Sequence, residues 1–437
     1  MTKIHSHILG GAVVLSGLLA SELAQAQEAP AAPPPAAPPA AAAEAPPPTP
    51  PPADVAPPAP PPPPADLAPL PVAMPMPEAP PPAPAEDNPF KVTVGAGIRS
   101  AVRIQNFNNP KKLNDQWMDE LNLELRTSGK VTDIIGWTGN FTVDGRSRAE
   151  HGNGAPIAFQ AQALDIIAQL DFMDELHVWA GRMLTPSDRS NFSGSWFMAP
   201  WNYSGVQFTG GYFGPRGTEE VGREVGGTVW GDIGKGKFKY YVALLDLDGN
   251  YGVGTKSFAS ENPLLSVRLN YAFVGAEPGF YGSSTYYGGQ DIVALGAAFQ
   301  YQKDYHTAAG KDNLVEFNAD FLAEKKLEAG TPGIEAAYYH ESGDTRAFND
   351  FFYVMPTFTT AEVLPAKGKL NALFRFQMAK TGEDTKTTHM MLEPSVAYLF
   401  KDYFAKVQLS YVYASAKPED GTKVKSNSIQ LGFQVQQ

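Results

Sequence analysis

The arginines of this chain recur at spacings that suit one wet face of a sheet. Arg99 and Arg103 alternate with Val92, Val94, Ala96, Ile98, Val102 and Ile104, in phase with Lys91, Thr93, Gly95 and Gly97. Arg126 is in phase with Asn122 and Glu124, opposite Leu121, Leu123 and Leu125. Arg146 and Arg148 follow Thr138, Asn140, Thr142 and Asp144, opposite Trp137, Phe141 and Val143. Side chains alternate across a strand, so each run has one apolar and one polar face. On three consecutive strands these arginines would stack into one basic patch, joined elsewhere on the wall by Arg268 and Arg375. A cation at a narrow, low-dielectric passage lowers the barrier for anions. The polar faces also carry Glu124, Asp144, Asp165, Glu316, Asp320, Glu335 and Glu393. The charges therefore either pair across strands and keep the wall wet, or leave an anion track.

Other chemistry is poorly supported. The seven histidines lie at 5, 7, 151, 177, 306, 340 and 389, in separate segments, and no nucleophile elbow accompanies them. No catalytic residue and no cofactor is expected, and the chain reads as a non-enzyme. It has no cysteine, so disulfides and thiolate metal sites are excluded. The formal charge is -12, to which residues 1–87 contribute Lys3 against eight acids. Such an acidic balance is no footprint for nucleic acid.

The elements that would position the arginines begin near Lys91. Before them, Lys3, an apolar run over 8–20 and Ala24-Gln25-Ala26 have the make-up of a signal peptide cleaved after Ala26. Residues 27–90 are mostly Pro, Ala and acids, too poor in apolar surface to fold. Fully extended, the tract from 29 to 87 would reach roughly 180 Å. It reads as a disordered spacer. A sharper alternative makes it an envelope tether to peptidoglycan or a partner protein.

From 91 to 437 the period-two pattern recurs in runs of 10 or more residues. Examples are Leu265, Val267, Leu269, Tyr271 and Phe273 against Ser266, Arg268 and Asn270, and Leu370, Ala372, Phe374 and Phe376 against Asn371, Arg375 and Gln377. Long strands with charges in mid-strand fit a transmembrane barrel around water, with lipid outside. Aromatic residues near strand ends, among them Trp137, Phe172, Tyr240, Tyr241, Tyr271, Phe273 and Phe400, read as interfacial girdles. The expected fold is all-β, a 16-stranded antiparallel transmembrane barrel. The even count requires 184–221 to be one long loop after the fifth strand, folded into the lumen. Two connections, 276–289 and 359–367, are long for the end where short turns belong. The expected function is passive diffusion of small hydrophilic solutes and ions across an outer membrane. Arg-for-Leu269 or Arg-for-Phe374 substitutions should be costly, and Arg-for-Ser266 or Arg-for-Asn371 substitutions mild.

The stretch Leu176-His177-Val178-Trp179-Ala180-Gly181-Arg182-Met183-Leu184-Thr185-Pro186, followed by Ser187-Asp188-Arg189-Ser190, resembles the strand-to-third-loop segment of the phosphate-selective porin O/P family. The resemblance implies a 16-stranded porin, often a homotrimer and favouring anions, with a constriction loop. Arg182, Asp188 and Arg189 are then charged candidates at the constriction, and Trp196, Trp201 and Tyr203 the rings that pin the loop to the wall. The same rings could instead form a sugar-binding slide. The chain departs from barrels that end in an aromatic residue, since it finishes Phe433-Gln434-Val435-Gln436-Gln437.

Overall fold

The computed structural model describes residues 91–105, 120–146, 158–204, 222–245, 251–253, 256–258, 262–307, 310–342, 349–362, 368–381, 386–419, 421 and 423–437. The expected signal peptide and Pro/Ala-rich segment lie outside these residues.

The first seven strands are β1 (Lys91–Gln105), β2 (Glu120–Lys130), β3 (Ile135–Arg146), β4 (Ala158–Met173), β5 (Leu176–Leu184), β6 (Arg223–Ile233) and β7 (Phe238–Leu245). A small hairpin, β8 (Tyr251–Val253) and β9 (Lys256–Phe258), stands apart from the sheet in the connection that follows. The sheet resumes with β10 (Leu264–Val274), β11 (Ile292–Thr307), β12 (Gly310–Glu324), β13 (Gly330–Ser342) and β14 (Asp350–Thr360). It ends with β15 (Lys369–Thr381), β16 (Thr387–Lys401), β17 (Ala405–Lys417) and β18 (Val424–Gln436). Sixteen of these, β1–β7 and β10–β18, form a closed barrel in which β7 pairs with β10 and β18 with β1, all neighbours antiparallel. Closure leaves no strand edge unpaired, the condition for spanning a bilayer with sheet.

Alternation decides what each face meets. Val92, Val94, Leu123, Leu125, Phe141, Leu269, Phe299, Phe317, Phe374, Leu409 and Leu431 are exposed on the outside. Their neighbours in sequence, Arg99, Glu124, Arg268, Asn318, Asn371 and Gln430, are buried inside. This apolar-out, polar-in surface marks a membrane-spanning barrel.

Several expectations need correction. Arg182 is cross-strand partner to Ile166 and Val225, which face outward, so Arg182 belongs to the outer face and not the pore wall. Tyr241 points inward, its hydroxyl donating to the Phe280 carbonyl at 2.7 Å, and is no girdle residue. β11 and β12 stay paired as far as Thr307 and Gly310. The connection at 275–291 is indeed long, and its destination explains why.

Candidate functional site: a lumen entered from both ends

Both chain termini of the barrel lie at one end, with the reversals 131–134, 174–175, 234–237, 325–329 and 402–404. The connection 275–291 leaves that same end, whereas 185–222 leaves the other. Residues 185–204 and 275–291 turn into the lumen.

The first segment is described over 185–204. A one-turn helix, α1 (Arg189–Ser193), sits at its start, and residues Thr185 to Ser193 are buried. The wall holds this segment by donating to its backbone carbonyls, which a loop leaves unpaired. Arg268 donates to the Ser187 carbonyl at 2.6 Å, and Ser266 to that of Pro186 at 2.6 Å. Lys406 reaches the Met198 carbonyl at 2.9 Å. Arg99 reaches the Trp201 carbonyl at 2.7 Å, and Arg375 the Asn202 carbonyl at 2.8 Å. Gln434 takes the Trp196 carbonyl at 3.0 Å. These donors stand on β10, β17, β1, β15 and β18, so the segment crosses the lumen.

The indoles anchor the far end. Trp201 donates from Nε1 to Glu120 at 2.8 Å, and Trp196 donates to Glu124. Their rings lie on the wall where it has no side chain. A Cβ at Gly97 would stand 2.6 Å from Trp196, and one at Gly432 2.5 Å from Trp201. Arg99 covers Trp201 at 4.2 Å from the ring centre, and Arg126 covers Trp196 at 4.7 Å.

The second segment, 275–291, is gripped from the opposite end. Lys239 donates to the Gly279 and Tyr281 carbonyls at 3.1 and 3.2 Å, and Lys369 to that of Tyr287 at 3.1 Å. Glu324 accepts from Thr285 and the Tyr286 backbone, and Glu335 accepts from Ser284.

The two segments meet at Arg189. Its guanidinium donates to both oxygens of Glu277, at 2.6 and 2.9 Å, and to the Ser283 carbonyl at 2.9 Å. Nε also contacts Asp320 of β12 at 3.3 Å. Backbone bonds link Gly282 to Phe192 and Ser284 to Phe197. Asp320 is bidentate to Arg268 at 2.6 and 3.1 Å, so one carboxylate serves two buried guanidiniums. Burial opposes ionisation of Glu277, but Arg189 outweighs it and holds the carboxyl below its usual range. Burial instead raises Asp188, although Tyr339 donates to it at 2.6 Å.

The expected site residues thus separate into classes. Arg99, Arg268, Arg375 and Arg189 are committed to carboxylates and loop carbonyls, and Asp188 to Tyr339. Arg126 bonds Glu124 and Gln436 at 2.8 and 2.6 Å but keeps 23% of its side chain exposed. Arg103 is half-buried on the inward phase of β1, and Tyr203 half-buried in the first segment. Arg146 ends β3, but its side chain lies outside the described residues, as does all of Arg148. The sequence reading passed over Glu277, Lys239, Lys406 and the seats at Gly97 and Gly432. A glycine on the inward phase of an otherwise regular strand was the available signal.

The wall is unequally covered. On β10–β18, inward residues such as Gln300, Asn318, Glu335, Asn371, Gln377, Glu393 and Gln408 are buried. On β2–β5, Arg126, Thr138, Asn140, Gln169 and His177 are only half-buried, although Glu124, Thr142, Asp165, Ile167, Trp179 and Met183 beside them are buried.

No protein-family model matches the chain, nor does any curated protein. Among solved structures, OprB of Pseudomonas putida matches 80% of this chain and 94% of its own, at 10% identity and a TM-score of 0.53. The anion-selective porin of Comamonas acidovorans matches 80% and 100%, at 10% identity and a TM-score of 0.50. At such identity the likeness is one of fold: this chain has the closed-barrel fold of outer-membrane porins.

Proposed function

We propose that the chain is an outer-membrane porin for passive diffusion of small hydrophilic solutes and ions. The observation that carries this reading is a closed barrel, apolar outside and polar inside, narrowed by two segments pinned within its lumen. A barrel of sixteen strands is wide enough for an aqueous channel, and inward loops set its bore. The end with both termini then faces the periplasm. Purified protein in a planar bilayer should give stepwise, ohmic conductance, and liposomes containing it should swell in small sugars. A correctly folded barrel that gives neither would end this reading.

The O/P-family resemblance of 176–190 supports a constriction role for 185–204, and with it the anion preference. Self-association into a homotrimer is supported by the outer surface. On β1–β6 the described outward side chains include Ala161, Ala163, Ala168, Ala180 and Gly227, with aromatics only at Trp137, Phe141 and Phe172. On β10–β18 they include Tyr271, Phe273, Phe299, Phe317, Tyr338, Phe358, Phe374, Phe400, Tyr411 and Phe433. Aromatic rings suit the lipid interface, whereas small side chains suit close approach of a second copy. The tether reading of the Pro/Ala-rich segment would be tested by deleting 29–87, which should weaken the envelope but spare conductance.

A further inference from the structure

We propose that the conducting path runs along β2–β5 rather than down the barrel axis, and that Arg126, Arg223 and Tyr281 form its filter for small anions and carboxylates. This rests on the channel reading and assigns selectivity within it. Three observations lead here.

The first is coverage. The two inserted segments are fixed to β10–β18 by Ser266, Arg268, Asp320, Glu324, Glu335, Lys369, Arg375 and Lys406, and to β1, β2 and β7 by Arg99, Glu120, Glu124 and Lys239; the wall of β10–β18 behind them is buried. Half-exposed inward side chains, the ones a solute can touch, concentrate on β2–β5.

The second is the order of the charges. Arg126 pairs with Glu124 at 2.8 Å, with side-chain exposures of 23% and 9%. Arg223 pairs with Asp165 at 2.8 Å, with exposures of 15% and 1%. In both pairs the arginine side chain is more exposed than its carboxylate partner, although Nη2 of Arg126 is itself buried. The net charge of each pair is zero, yet the field at the passage is that of the nearer, positive end, because Coulomb energy falls with distance. The committed pair Arg375–Glu393 is different, with both side chains sealed.

The third is a donor from the second segment. Tyr281 is 40% exposed and lies in electrostatic range of Asp165, Arg223 and Glu124. A phenol there adds a neutral donor for an anion shedding part of its water. The ring of Phe197, 6.0 Å from the Arg126 guanidinium, borders the same space.

The test is the reversal potential of single channels in a KCl gradient, compared among correctly folded variants. The wild type should prefer chloride, most strongly at low salt, where screening is weak. R126Q combined with R223Q should lower the chloride-to-potassium permeability ratio by about threefold per charge, the size expected for a unit charge a few ångström from the ion in a water-like dielectric. R126K with R223K should keep the preference. Q169E leaves both arginines in place and should lower the ratio by adding a negative charge to the same arc. Y281F should weaken the preference for acetate over chloride without changing conductance. If the folded wild type does not conduct, the channel reading fails. If it conducts, but the glutamine pair and Q169E leave the ratio unchanged, the filter lies elsewhere and this proposal is wrong.

Discussion

Arg268 and Arg126 face the same lumen from opposite arcs of one barrel, and their surroundings differ. Arg268 is bidentate to Asp320 and donates to a loop carbonyl, while Phe192 packs over it at 5.5 Å. Arg126 is paired too and lies over Trp196, but it keeps 23% of its side chain exposed. On β10–β18 the cations are structural fasteners. A loop crossing a lumen carries unpaired carbonyls, and Arg and Lys supply donors long enough to reach them. On β2–β5 Arg126 bonds side chains of the wall but keeps part of its surface for solutes. Inward phase alone does not make a charge part of a filter; what covers it does.

The largest expected effect breaks the fastened arc. Asp320→Ala would leave Arg268 and Arg189 short of their shared carboxylate, and losing one partner of a buried ion pair costs about 3–5 kcal/mol. Thermal unfolding in detergent should show that loss, with noisier and larger conductance as the inserted segments loosen. A loss below about 1 kcal/mol would mean that water already screens this cluster.

Next comes a contrast between faces and arcs. Leu269→Arg should cost about 2–4 kcal/mol near the bilayer midplane. Asn371→Arg, mild by the sequence expectation, should cost about 1–3 kcal/mol, because that wall is sealed and an added volume must displace the packing. The same holds for Ser266, which bonds the loop at Pro186. Gln169→Arg on the open arc should change stability by no more than about 0.5 kcal/mol. Equal costs at 371 and 169 would erase the distinction between arcs.

Gly97→Leu should cost about 1–3 kcal/mol by driving the Trp196 ring from its seat, seen as lost protection of the indole from quencher. The smallest effect concerns pH. Glu277 is held below its usual range, so its clasp is fully present above the unfolded carboxyl value and is lost only as pH falls through the lower folded value. The Arg189–Glu277 clasp should therefore hold from pH 7 to about 5 and open only in stronger acid, read as the pH at which 275–291 becomes open to protease. Opening of this clasp near neutral pH would place the junction elsewhere.

How much of this was legible in the sequence depends on the range of the interactions. The strands were, because alternation is local: Leu265 to Phe273 and Leu370 to Phe376 stand as the pattern requires. The long loop after β5 was legible through parity. Arg182 could have been placed correctly, since it shares the phase of Val178 and Ala180, both outward. The same phase argument puts Tyr241 inside, with Lys239 and Ala243. The course of 275–291 was not legible. Its grip depends on Lys239, Glu324, Glu335 and Lys369, on four different strands, and no local pattern announces such a meeting. The arginine commitments were hidden for the same reason, as their partners are loop carbonyls, which every residue carries.

The division of the lumen wall can be probed directly, because the chain has no cysteine of its own. Single cysteines at Asn140 and Gln169 on the open arc, and at Gln300 and Asn371 on the fastened arc, would be exposed to a charged thiol reagent during bilayer recording. Rapid, stepwise block at 140 and 169 with none at 300 and 371 is the predicted result. Equal block on both arcs, or block at 300 and 371 alone, would contradict it.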